Sequence, residues 1–150
     1  MLKDCFDQAA YIQVFTNRRA QTVVEGLVQA WKVLGIPKIL QVDNGWEFRG
    51  SARWPQALGK VIRLGLWLKG EILFIPEEMP WHNGSVENLN GMLDRLLVKA
   101  RRFEDISQIR QELEKLNEAL LSQHVHESLG LKTPSQYRQG KALRLLPSDL

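Results

Sequence analysis

Residues 35–48 read GIPKILQVDNGWEF, and the architecture turns on how this stretch is read. Gly35 and Pro37 stop a preceding helix. Lys38 to Val42 is a short apolar run of strand character, and Asp43 stands at its carboxyl end. Asn44-Gly45 turns the chain at once, because both residues accept positive φ at little cost. An aromatic, Trp46, and a second acid, Glu47, follow. Asp43 belongs either to the turn, where Asp before Asn-Gly is ordinary chemistry, or to a reactive group held on a strand tip.

The flanking sequence puts that strand in an alternating series. Ala9 to Thr16 (AAYIQVFT) is rich in β-branched and aromatic residues and reads as a strand. From Gln21 to Leu34, Val23, Val24, Leu27, Val28, Trp31 and Leu34 recur at a helical period. Trp54 to Leu68 has helical spacing with Leu58, Ile62 and Leu66 on one side, and Glu71 to Ile75 is a third short strand closed by Pro76. After irregular chain around Pro80, Val86 opens a helix. Its apolar stripe is Val86, Leu89, Leu93, Leu96, Leu97 and Ala100. A last helix spans Ser107 to Gln123, with Ser107 as its N-cap and Ile109, Leu113, Leu116 and Leu120 as its buried face. Strands alternating with helices imply an α/β layer structure. The expected organisation is one core over 1–123, followed by a tail, 124–150, broken by Gly130, Pro134 and Gly140.

Composition allows this and narrows the partners. One hundred and fifty residues, 44% hydrophobic and 25% charged, suffice for a substantial core. Net charge is +3, a mild basic bias that permits nucleic acid. No apolar run is long enough to cross a bilayer. A single cysteine, Cys5, excludes an internal disulfide framework and fits a reducing cytoplasm; a buried or half-buried thiol is expected.

In α/β sheets, groups at the carboxyl ends of strands gather where ligands bind. The second candidate acid is Glu87, within PWHNGSVENLNG (80–91), where Gly84 and Ser85 supply a breaker and a cap. Taken alone, Glu87 is a carboxylate favoured by a helix dipole. Taken together, an acid at a strand end and an acid on a helix's opening turn can converge on a divalent cation, since Mg²⁺ prefers one or two carboxylates among hard oxygen ligands.

The stretch GIPKILQVDNGWEF resembles the segment of retroviral-type integrases and bacterial insertion-sequence transposases that carries the second acid of their DDE triad. PWHNGSVENLNGMLDRLL is similar to the segment carrying the third. SLGLKTPSQYR (128–138) resembles the tail that follows the core in bacterial members, and DCFDQAAYIQVF (4–15) the strand-turn-strand near its front. The resemblance implies a ribonuclease H-like fold with a mixed sheet flanked by helices, two Mg²⁺ or Mn²⁺ ions, and DNA cutting and joining. It makes Asp43 the second metal-binding acid and Glu87 the third. The family's first acid lies on a central strand upstream of the segment that DCFDQA resembles, so the expectation is an amino-terminally truncated core with a weak or incomplete site. Asp4 and Asp7 match positions in the following turn, where the family does not place its catalytic acid, although either could be recruited. The family's cores are commonly dimeric, which implies a homodimer.

Asn90, Arg95 and Lys99 lie on the polar face beyond Glu87 and suit a DNA backbone, although Asp94 interrupts them and a solvated face explains the same residues. Arg101-Arg102 suits a helix end. Trp81 and His82 precede the Glu87 helix in a loop. His124 and His126 diverge if they are still helical, and with one cysteine in the chain a structural zinc site is not expected. Two classes stay open: a catalytic integrase or transposase core, and a non-catalytic DNA- or protein-binding module derived from one.

Overall fold

The computed structural model describes residues 1–50, 57–76 and 84–148. They form two compact units, one built from residues 1–14 with 84–142, the other from 15–83 with 143–150. The α/β alternation expected from sequence is present in the order of elements.

The unit that contains Asp43 starts with helix α1, Ala20–Leu34. Asn17 shapes its approach, accepting hydrogen bonds from the Thr22 hydroxyl at 2.7 Å and from the Arg19 N–H at 3.0 Å. Gly26, Leu27, Ala30, Trp31 and Leu34 form the buried face, in line with the expected period. Gly35 ends the helix at φ +81°, a conformation that a Cβ would strain, and its N–H donates to the Trp31 carbonyl at 2.9 Å. Here the chain's tail returns: the Ile36 N–H donates to the Arg144 carbonyl at 2.8 Å, and a Cβ on Gly35 would meet Leu143 at 3.3 Å.

Strand β3, Ile39–Val42, alternates exposed and buried residues, with Leu40 and Val42 inside. It pairs in parallel with β4, Glu71–Phe74, from Ile39↔Glu71 to Val42↔Phe74, so both strands end side by side. Between them, α2 is a single turn, Trp46–Arg49. Helix α3 is Lys60–Trp67. The expected start at Trp54 lies outside the described residues, and the chain at Gly59 is extended. The expected face was the wrong one. Val61, Leu64, Gly65 and Leu68 are buried, whereas Leu58 and Leu66 are exposed. Gly65 explains the choice: a Cβ there would fall 2.6 Å from Ile72 Cδ1, so the helix approaches β4 at the position without a side chain.

In the other unit, β1, Leu2–Lys3, and β2, Ala10–Tyr11, form a small antiparallel hairpin. The strand expected over Ala9 to Thr16 is two residues long because its next backbone groups bond elsewhere. The Ile12 N–H donates to Asn117 Oδ1 at 2.8 Å, and the Ile12 carbonyl accepts from Asn117 Nδ2 at 2.9 Å. A buried side-chain amide thus takes the place of a neighbouring strand. Asn117 sits on α5, Ile106–Ser122, whose buried residues are Leu113, Asn117 and Leu120. Its N-cap is Asp105, accepting from the Gln108 N–H at 2.9 Å, rather than the expected Ser107.

Helix α4, Gly84–Leu93, continues into a π-helical turn, Asp94–Val98. That turn carries one extra residue per hydrogen-bonded ring, as the Lys99 N–H reaching the Asp94 carbonyl at 2.8 Å shows. The apolar stripe therefore slips by one position: Leu89 and Leu97 are buried and Leu96 is turned out. Leu89, Leu97, Leu113 and Leu120 pack with Ala10 and Ile12 as the core of this unit. The tail has its own short helix, α6, Pro134–Arg138, fixed by a capping box between Thr133 and Gln136.

Candidate functional site

Asp43 follows β3 directly and is exposed. Its Oδ1 accepts the Gly45 N–H at 2.9 Å, so it belongs to both the strand tip and the turn. Asn44 fastens that tip to the end of the next strand: its Nδ2 donates to the Ile75 carbonyl at 2.6 Å, while its Oδ1 accepts from Arg49 at 2.5 Å. The Arg49 guanidinium in turn stands 5.8 Å from the Phe74 ring centre. The turn does not use positive φ, contrary to expectation, since Gly45 has φ −57°. Glycine serves close approach instead. A Cβ on Gly45 would lie 2.6 Å from Glu47 Oε2 and 3.0 Å from Asp43 Oδ1. Two carboxylates thus face the same small gap, and Glu47, unassigned from sequence, is half-buried beside Asp43.

Glu87 lies in the first turn of α4 and is exposed, where the helix dipole favours its charge. Ser85, expected as the cap, is inside the helix. Asn90, Arg95 and Lys99 are exposed on the same segment. Lys99 Nζ is 2.5 Å from Asp94 Oδ2, so one of the three expected phosphate contacts already has an internal counter-ion. Arg95 folds back over Gly91, with Nη1 3.9 Å from where a Cβ would be. Asp43 belongs to one compact unit and Glu87 to the other.

The turn acids have other employment. Asp4 Oδ1 accepts the Phe6 N–H at 2.8 Å and the Asp7 N–H at 3.3 Å, closing a turn. Asp7 is buried; its Oδ1 accepts the Ala9 N–H at 3.0 Å and its Oδ2 is 2.5 Å from Arg138 Nε. Neither occupies a metal-ligating cluster: among the described residues no group of three or more His, Cys, Asp or Glu side chains is arranged to hold an ion. Cys5, in the same turn, is exposed rather than buried.

Arg101 pairs with Glu112, which also receives Lys115 at 2.7 Å; the Lys115 hydrogen bond is the main cause holding the Glu112 carboxyl below its usual range. His124 and His126 do not diverge, because α5 ends at Ser122; their ring centres are 4.6 Å apart, edge to face. Burial, and then the neighbouring His124 and Lys3, lower the pKa of His126. Trp81 and His82 lie outside the described residues. No helix among the described residues is long and apolar enough to cross a membrane.

No family profile matches the chain. Among solved structures it is similar to the HTLV-2 integrase catalytic core domain in complex with magnesium. To the trimeric form the identity is 18%, over 90% of this chain and 80% of that one, with a TM-score of 0.66. To the dimeric form the identity is 16%, over 92% and 80%, with a TM-score of 0.62. At such identities the likeness is one of fold, and it extends over both compact units. The chain has the ribonuclease H-like α/β fold of a retroviral integrase catalytic core.

Proposed function

We propose that this chain is an integrase- or transposase-type core for DNA integration by divalent-metal-dependent strand cleavage and transfer. Its core spans 1–123 with 124–150 as the core's tail, and it works in the cytoplasm as a homodimer. The observation that carries the reading is the mounting of Asp43: an exposed carboxylate at the joint ends of two parallel strands, tied down through Asn44 to Ile75. Glu87, exposed at a helix start, is the other metal-binding acid of the proposal. Both are hard oxygen donors of the type Mg²⁺ and Mn²⁺ take. When bound, such an ion polarises a phosphoryl oxygen and lowers the pKa of water. With Asp4 and Asp7 engaged in a turn and an ion pair, these two acids alone make a weak site, because hard cations gain affinity with each carboxylate.

Asn90 and Arg95 hold the DNA backbone on the α4 face, with Lys99 contributing less because Asp94 shares its charge. The binding is non-specific and salt-sensitive. In gel-shift titrations, Arg95→Ala is expected to weaken binding several-fold and reduce the salt slope by about 1. Lys99→Ala should have a smaller effect. The burial of Asp7 against Arg138 also supports a second reading, a non-catalytic module that keeps the fold for protein binding. Absence of any shift for the parent chain at low salt selects that second reading.

A further inference from the structure

The outer edge of β4 has the groups and the symmetry to pair with itself. Among the described residues β4 has β3 on one side and no strand on the other. The N–H groups of Glu71 and Ile75 donate inward, to Lys38 and Val42, so the alternate residues Ile72 and Phe74 direct their N–H and C=O groups outward. Beside this edge runs a largely apolar groove between α3 and β4, lined by Ile62, Leu66, Ile72 and Phe74 together with Lys69 and Glu71. Leu73, on the other face of the strand, is 47% exposed, and Leu66 is 58% exposed.

We propose that β4 is a self-pairing edge, at which a second copy of this chain adds in antiparallel sense about a two-fold axis through Leu73. This rests on the homodimer reading above and names its surface. The register follows from the backbone. Residues opposite each other must share a face, so the axis passes through a residue rather than between two. Centred on Leu73, Ile72 of each copy exchanges both backbone hydrogen bonds with Phe74 of the other, and all four outward groups on each chain are satisfied. Centred on Ile72, Phe74 would face Gly70, whose N–H is already given to the Gly65 carbonyl at 2.8 Å. The Leu73 register also sets Ile72 against the partner copy's Phe74 across the axis, joining the two grooves.

Charge favours the same partner. The antiparallel crossing lays the acidic entry of one strand, Glu71, beside the exit of the other, where Arg49 stands over Phe74. The two copies of Lys69 are about 27 Å apart at 3.4 Å per residue, too far to repel strongly. Two residues of each strand exchange the hydrogen bonds, a small contact, so the dimer is expected to depend on concentration.

Leu73→Cys in a Cys5→Ser background tests the register. Opposed residues in a non-hydrogen-bonded antiparallel pair have Cα atoms about 4.5 Å apart, within the span of a disulfide. Mild oxidation is expected to give a covalent dimer, while Val98→Cys, more exposed at 62% but on the other unit, gives none. In sedimentation equilibrium, Leu73→Lys should weaken association roughly tenfold by opposing two like charges. A parent chain that is monomeric at micromolar concentration and yields no Leu73→Cys cross-link overturns both the surface and the homodimer. A dimer that persists in Leu73→Lys and does not cross-link overturns the surface alone.

Discussion

An Asn117→Leu chain is expected to be less stable than the parent by about 2–6 kcal/mol, with little change in its surface chemistry. Asn117 is 6% exposed and spends its amide on both backbone groups of Ile12, itself 2% exposed. Leucine matches the volume but leaves a buried N–H and a buried C=O without partners, each costing about 1–3 kcal/mol. Against a total stability of about 5–15 kcal/mol, that loss decides whether the unit folds at all. Denaturant unfolding measures it, with Asn117→Asp as the informative companion: the acid keeps an acceptor for the Ile12 N–H but loses the donor to its carbonyl. A cost below that of leucine is expected for Asn117→Asp at acidic pH, where the protonated acid regains a donor. If Asn117→Leu unfolds at the parent's midpoint, the amide is not what satisfies the strand end.

The second large effect concerns the pair that ties the tail to the front of the chain. Asp7→Asn is expected to cost about 3 kcal/mol, the lower end for breaking a buried ion pair, since both side chains keep about one-tenth of their exposure. Asparagine retains the acceptor for the Ala9 N–H, so the loss isolates the charge interaction with Arg138. Arg138→Met should cost a comparable amount, and the double substitution less than the sum, with a coupling of about 1–3 kcal/mol. Additive losses in that cycle would mean that the two side chains act separately. Were Asp7 instead a metal ligand, Asp7→Asn would weaken metal binding while leaving stability nearly untouched.

The parts of the fold that were legible in the sequence are those set by period and punctuation. The buried stripe of α1 runs through Leu27, Trp31 and Leu34 and stops at Gly35, and β3 stops at Asp43. What escaped the reading depended on contacts across the chain. Nothing local distinguishes Asn117 from a solvated helical amide, yet its partner is 105 residues away. The same distance in sequence hides why Ala9 to Thr16 supplies only a two-residue strand. The face of α3 was misassigned because leucines carry more weight in a hydrophobic pattern than a glycine, whereas Gly65 against Ile72 sets the packing. The π-helical turn that exposes Leu96 leaves no mark that a fixed 3.6 period can register. Asp43 stands directly after its strand, as the pattern implies, but the anchoring of the turn differs from the expectation. Positive φ is the usual reason for Asn-Gly, and here Asn44 serves as a tether and Gly45 makes room for Glu47. The capping box of Thr133 and Gln136, by contrast, is legible in the sequence as T-P-S-Q.

The central proposal is that Asp43 and Glu87 are metal-binding acids of this chain, and calorimetric titration with Mn²⁺ tests it most directly. The account predicts a single weak site in the parent chain, consistent with two carboxylates rather than three. Asp43→Asn and Glu87→Gln are each expected to weaken Mn²⁺ binding. Binding that is tight and survives either substitution would contradict the claim.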